Sequence, residues 1–306
     1  MSRLRIIHGT VYRYSEAVKF GRHRLVIRPR EGHDLRVEEL KLTIVPAHQV
    51  MWRRDLYGNS IAFVDFLEKA DRLEIVNETV VALRDSVPLR TLEDFAAVPW
   101  PVIYADSERP VASGYQMPVY LDEVVELKAW LAAQQDLANV REATRLVQIL
   151  NEWIYDHIKY RRREERGVQS PWQTLQLGSG SCRDMATLLL ELVRAAGLAA
   201  RFASGYLNSE ASIAGRAATH AWMEVYFPEQ GWCGCDPTLG EETSPKHIVT
   251  GVSSHPRGVM PISGVYSGDP QVYLGLDVSV RIEELVDEGA FSTVEPRGTE
   301  ERGGEL

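Results

Sequence analysis

Three residue types that together can open an amide occur in order in the second half of this sequence: Cys182, His220 and Asp236. A cysteine attacks a carbonyl carbon as the thiolate. It needs a base to take its proton, and the base needs a partner that fixes its tautomer. The context of the cysteine suits that task. Gly178-Ser179-Gly180-Ser181-Cys182-Arg183-Asp184 runs directly into Met185, Leu188, Leu189, Leu192, Val193 and Ala196, one buried stripe at helical spacing that stops at Gly197. Ser181 suits the N-cap, and Asp184 falls where it can close a capping box. Cys182 is then the first helical residue, where free N–H groups and the helix dipole favour an anion. The same N–H groups can hold a developing oxyanion.

The histidine and the aspartate belong to a predicted hairpin. Thr219 to Phe227 reads as a strand, Pro228-Glu229-Gln230-Gly231 as a turn, and Trp232 to Thr238 as the returning strand. His220 at the start of one strand and Asp236 at the end of the other fall at the same open end. Trp222 shares the strand face of His220 and is a candidate cleft wall; Gln169 and Thr174, upstream of the cysteine, are candidate oxyanion-hole residues. A rival chemistry is a zinc site built from Cys182, His220, Cys233 and Cys235. A C-x-C on a strand points both sulfurs to one face and Asp236 to the other, so the expectation is no metal and no cofactor.

These residues need a scaffold. Leu4 to Tyr14, Leu40 to Pro46, Ile61 to Phe66 and Leu73 to Leu83 are strand-like runs separated by turns such as Asp55-Leu56-Tyr57-Gly58-Asn59. They predict an antiparallel, sandwich-like domain over residues 1–85. Pro88, Pro99, Pro101, Pro110 and Pro118 mark residues 86–118 as a linker, poor in helix because proline lacks an N–H. Residues 119–285 make the second domain. It includes a helix carrying Leu146, Val147, Leu150 and Ile154, a charged turn at Arg161 to Arg166, a strand through Leu198 to Tyr206 with Tyr206 beside the cysteine helix, and a last strand over Val272 to Ile282. The acidic, Gly-rich residues 286–306 are expected to form a disordered tail.

Composition narrows the function classes. Hydrophobic residues make up 44% and charged residues 25%, the balance of a globular protein. Acidic residues outnumber basic ones 43 to 34, which argues against a nucleic-acid partner. Nothing resembles a signal peptide or a membrane span, so a cytoplasmic location is expected. Three cysteines do not suggest a disulfide framework.

Gly180-Ser181-Cys182-Arg183-Asp184, Ala199 to Tyr206, His220-Ala221-Trp222-Met223-Glu224-Val225 and Gly231-Trp232 to Asp236-Pro237-Thr238 resemble, in order, the bacterial transglutaminase-like family. His8 to Tyr14, Arg28-Pro29-Arg30 and Asp55 to Asn59 resemble its N-terminal β domain. The resemblance implies an α+β fold: a β domain followed by a papain-related core, with the nucleophile at a helix N-terminus packed on an antiparallel sheet. It carries the triad onto Cys182, His220 and Asp236. Cys233, Cys235 and Ser254-His255-Pro256-Arg257-Gly258 depart from the family pattern. The implied activity is acyl transfer from a glutamine side chain or peptide amide through a thioester, completed by an amine or by water. The partner is then a protein or peptide substrate and an amine acceptor. The alternatives are a strictly hydrolytic peptidase or amidase, and a binding protein that keeps the fold without catalysis.

Overall fold

The computed structural model describes residues 2–84, 92, 97–163, 167–214, 217 and 219–285. The elements run β1 (Ser2–Phe20), β2 (His23–Leu25), β3 (Leu35–Val45), β4 (His48–Arg54), β5 (Ser60–Phe66) and β6 (Ala70–Leu83). Next come α1 (Arg109–Gln116), α2 (Val124–Ala133), α3 (Ala143–His157), β7 (Lys159–Tyr160), α4 (Pro171–Leu177), β8 (Ser179–Gly180) and α5 (Cys182–Ala195). The chain continues as β9 (Ala200–Leu207), α6 (Glu210–Ile213), β10 (His220–Phe227), β11 (Gly231–Asp236), β12 (Glu241–Glu242) and β13 (His247–Ser253). It closes with β14 (Ile262–Ser263), β15 (Tyr266–Ser267) and β16 (Tyr273–Leu285).

The N-terminal strands form two antiparallel sheets. One is ordered β15-β1-β6-β3, with β16 also on β1, and the other β14-β2-β5-β4. Alternating residues of both sheets, among them Tyr14, Ile44 and Ile75 from one and Leu25, Ala62 and Val64 from the other, meet in a shared apolar core. The second region is a five-stranded antiparallel sheet, β12-β11-β10-β9-β13, with α5 laid on one face. Met185, Leu188, Leu189 and Leu192 of α5 pack with Met223, Val225 and Phe227 of β10 and with Cys233 and Cys235 of β11. The fold class is the α+β arrangement expected from the sequence.

Four expectations need correction. The last strand does not complete the second region: β16 pairs with β1 from Arg3↔Leu285 to Tyr14↔Tyr273, so the chain returns to close the first sheet. The proline-rich stretch is not plain linker, since α1 lies within it. Pro110 sits in the first turn of α1, where its missing N–H costs nothing. Tyr206 does not pack beside α5. Its side chain packs with Leu4, Ile6 and Ile248 and donates its hydroxyl hydrogen to the Ile27 carbonyl at 3.2 Å, with His8 Nδ1 at 3.1 Å. Finally, α5 is buried nearly all round rather than along one stripe, because α2, α3 and α4 cover the side away from the sheet. Glu191 and Arg194 are therefore both fully buried, and they satisfy each other at 2.8 Å. The tail at 286–306 lies outside the described residues, as do part of the 86–118 stretch and residues 164–166 of the charged turn.

The Asp55–Asn59 turn has an evident task. Asp55 Oδ1 accepts the N–H groups of Tyr57 (3.0 Å) and Asn59 (2.8 Å), and Gly58 takes the left-handed φ of 75°. The turn so formed projects the buried Asn59 at the backbone of β13.

Candidate active site

Asp184 organises the start of α5. Its Oδ2 accepts the backbone N–H and the hydroxyl of Ser181, both at 2.8 Å. Its Oδ1 accepts the Gln169 N–H at 2.8 Å and Arg163 Nη1 at 2.9 Å. One fully buried carboxylate thus ties the cap, the approach loop and the charged turn together. The close fit requires Gly180, because a Cβ there would lie 2.8 Å from Asp184 Cβ. Cys182 follows as the first residue of α5, buried but with 8% of its surface open.

β10 begins at His220, on the sheet beneath α5. The hairpin register runs from Phe227↔Gly231 to Met223↔Cys235; continued one step, it sets Asp236 opposite Trp222 and diagonal to His220. His220 Nε2 lies 2.5 Å from Asp236 Oδ2. That leaves Nδ1 for the hydrogen bond between the His220 ring and the Cys182 side chain. The three residues singled out from the sequence therefore form one connected chain.

The electrostatics follow from these contacts. Burial of the His220 ring works against its positive charge, but the bonds to Asp236 and Cys182 outweigh it and push the imidazolium up to about 10. Burial alone would raise Asp236; the bonds from His220, His247 and Thr238 overcome this and hold it well below the usual carboxylate range. Thr238 supplies its N–H at 2.9 Å and its hydroxyl at 2.6 Å to Oδ1.

The other candidates fall in different places. Trp222 is 1% exposed and packs under the His220 and His247 rings, so it is a floor rather than a wall. Thr174 is fully buried and gives its hydroxyl to Gln169 Oε1 (3.2 Å) and the Ser170 carbonyl (3.0 Å), so it touches the site only through Gln169. Gln169 stands beside Gly180 and keeps its amide N–H groups as donors. Cys233 and Cys235 are free thiols on the α5 side of the sheet; a hydrogen bond between them and burial push the Cys235 thiol up. His255 is away from this chain, stacked with Tyr120 at 6.1 Å.

Sequence reasoning missed His247. It opens β13, and its Nε2 lies 3.1 Å from Asp236 Oδ2. No local pattern marks it, since β13 reaches the site only through its pairing with β9. Among the described residues, His220, Asp236 and His247 are the group whose potential metal-ligating atoms converge, all within 4.8 Å. Their geometry is that of a hydrogen-bonded set, because the Ser244 N–H occupies His247 Nδ1 and leaves the proton on Nε2, facing Asp236. The zinc set Cys182, His220, Cys233 and Cys235 does not come together. No helix among the described residues is long and apolar enough to cross a membrane.

Comparison with known proteins gives a consistent picture. Residues 131–237 match the model of the transglutaminase-like superfamily, and residues 4–82 match the bacterial transglutaminase-like N-terminal region. An uncharacterized protein of Mycobacterium tuberculosis is 28% identical over 296 residues, covering 92% of both chains. A protein-glutamine gamma-glutamyltransferase of Pseudomonas aeruginosa is 38% identical over 80 residues, 24% of this chain and 12% of that one. A candidate cysteine protease of Cytophaga hutchinsonii shares the fold, with TM-score 0.72 and 15% identity over 93% of this chain and 91% of that one. With both regions matched in order, the chain belongs to the bacterial transglutaminase-like family.

Proposed function

We propose that the protein is a cysteine-dependent enzyme that opens amide bonds of a protein or peptide through a thioester, with Cys182 as nucleophile, His220 as acid and base, and Asp236 as the residue that orients His220. The observation that carries this reading is the continuous chain from the Cys182 side chain to the His220 ring to Asp236, at the N-terminus of a buried helix. The Cys182 sulfur adds to the carbonyl carbon of a glutamine side chain or a peptide bond. The oxyanion that forms is held by N–H groups at the start of α5, with the Gln169 amide as a further donor. The His220 imidazolium then gives its proton to the departing nitrogen, the C–N bond breaks, and ammonia or an amine leaves a thioester on Cys182. An incoming amine or water loses a proton to His220 as it attacks the thioester, which regenerates the thiolate–imidazolium pair.

Whether amine or water completes the cycle depends on the acceptor. Similarity to a protein-glutamine gamma-glutamyltransferase supports an amine, and the shared fold with a candidate cysteine protease is compatible with water. The test incubates the enzyme with a glutamine-containing peptide library, with and without hydroxylamine, and analyses products by mass spectrometry. The expected result is Cys182-dependent hydroxamate or carboxylate, lost in Cys182→Ala. Hydroxamate identifies transfer, and carboxylate or a shortened peptide identifies hydrolysis. No Cys182-dependent product, together with iodoacetamide labelling of Cys182 that is the same in wild type and His220→Ala, sinks the proposal and favours a binding role.

A further inference from the structure

Two imidazoles share one carboxylate oxygen. His220 Nε2 is 2.5 Å from Asp236 Oδ2, and His247 Nε2 is 3.1 Å from the same atom. Thr238 occupies the other oxygen with two donors. The Ser244 backbone N–H, 3.1 Å from His247 Nδ1, fixes that ring as the Nε2–H tautomer. The His247 side chain is 3% exposed and sits edge-on to Trp222 at 5.2 Å, so it has little freedom to turn away.

We infer that His247 is a positioning residue that competes with His220 for Oδ2 of Asp236 and so limits how tightly the carboxylate holds the His220 ring. The inference rests on the proposed roles of Cys182, His220 and Asp236. An oxygen that already accepts one N–H is a weaker acceptor for a second, and part of the carboxylate charge is spent on the neutral ring. Without that competitor Asp236 binds the imidazolium more strongly. An imidazolium held too strongly is a poor acid toward the departing nitrogen. The ionisable groups bonded to Asp236 are His220 on β10 and His247 on β13; Cys182 on α5 is bonded to His220, and Tyr160 on β7 and Cys235 on β11 lie within reach of the carboxylate charge. Among the described residues only His220 and His247 donate to Oδ2.

The experiment follows iodoacetamide labelling of Cys182 against pH, by peptide mass spectrometry, in wild type, His247→Leu, His247→Gln and His220→Ala. His247→Leu removes the donor at similar volume, and His247→Gln keeps an N–H for Asp236. A more firmly held imidazolium keeps its proton to higher pH, so His247→Leu moves the alkaline labelling midpoint, at which His220 gives up its proton, up by about half a pH unit, a roughly threefold change in the equilibrium. His247→Gln returns the midpoint to the wild-type value. A His247→Leu midpoint that stays or falls overturns the inference, because a ring that only fills space does not raise it. If His220→Ala changes labelling while His247→Leu does not, the inference fails alone; if His220→Ala also changes nothing, the catalytic reading fails with it. Nitrogen-15 NMR of the wild type tests the same point without a variant. The Nε2–H tautomer of His247 at neutral pH supports the inference, and an Nδ1–H tautomer overturns it.

Discussion

Asn59, in the turn between β4 and β5, pairs with both backbone polar groups of Val252 across the junction of the two regions. Its Nδ2 donates to the Val252 carbonyl at 2.8 Å, and its Oδ1 accepts the Val252 N–H at 2.9 Å. Arg30 Nη1 donates to the same Oδ1 at 2.6 Å, and the Arg30 N–H bonds the Val249 carbonyl at 2.8 Å. The side chain thus stands in for a strand neighbour of β13, the strand that carries His247. The N-terminal β domain is thereby bonded to β13, the strand that opens at His247.

Replacing Asn59 with leucine leaves the Val252 N–H and C=O unpaired in a buried place. A buried polar group left without a partner costs about 1–3 kcal/mol. The expected loss for Asn59→Leu is therefore about 2–5 kcal/mol in urea denaturation, with faster hydrogen exchange at the Val252 amide. A loss under about 0.5 kcal/mol, the range of ordinary surface substitutions, would mean that the junction does not depend on this pair.

The pH dependence follows from His220. Its pKa is raised to about 10, so the imidazolium persists through neutral pH and is lost as pH rises through that value. The stability contributed by its contacts has the same sign: it is fully present below the unfolded value of about 6.5 and disappears through about 10. The alkaline limb of kcat/KM is expected near pH 10 in the wild type. Asp236→Asn removes the carboxylate charge and moves that limb down toward the ordinary histidine value of about 6.5. The check is kcat/KM measured across pH in both proteins; a limb at the same pH in each would show that Asp236 does not support the His220 charge.

Asp184 is expected to matter more for holding the nucleophile than for chemistry. It collects four donors from Ser181, Gln169 and Arg163 and lies within hydrogen-bonding range of no proposed catalytic residue. Asp184→Ala leaves the buried N–H groups of Ser181 and Gln169 unpaired and removes the carboxylate that Arg163 bonds. Breaking a buried charge pair this way costs about 3–5 kcal/mol. The measurement is urea unfolding beside Cys182 labelling at neutral pH. Stability falls by that amount and labelling changes as the first turn of α5 loosens; unchanged stability would remove Asp184 as the organiser of the loop.

Much of the site was legible because its signals are local. The capping residues Ser181 and Asp184, the apolar stripe of α5 and the turn between β10 and β11 all lie within a few residues of what they position. The family resemblance then added the roles of the residues. What stayed hidden is set by pairing across long sequence separations. Nothing near Tyr273–Leu285 says that its partner is β1, more than two hundred residues away. His247 gives no sign that β13 joins β9 and reaches Asp236. The burial of Glu191 and Arg194 was equally invisible, because a helical charge pair reads as solvent-facing until helices cover that side.

The tightest backbone contact near the site yields the last prediction. Gly205 lies in β9 opposite His220 on one side and Val249 on the other. A Cβ there would sit 2.0 Å from the Ile248 carbonyl oxygen and 2.9 Å from Trp222 Cη2. The first of these is backbone of β13 and the second is the ring under His220 and His247, so neither yields without moving the site. Overpacking a filled interior costs about 1–3 kcal/mol, and a clash with a paired strand belongs at or above the upper end. Gly205→Ala is expected to lower stability by about 3 kcal/mol or more and to slow turnover even where the protein still folds, because β13 carries His247 away from Asp236. Calorimetry and steady-state kinetics on the one variant check both halves. A folded Gly205→Ala protein with wild-type kcat would show that the spacing of β9 and β13 does not control the site.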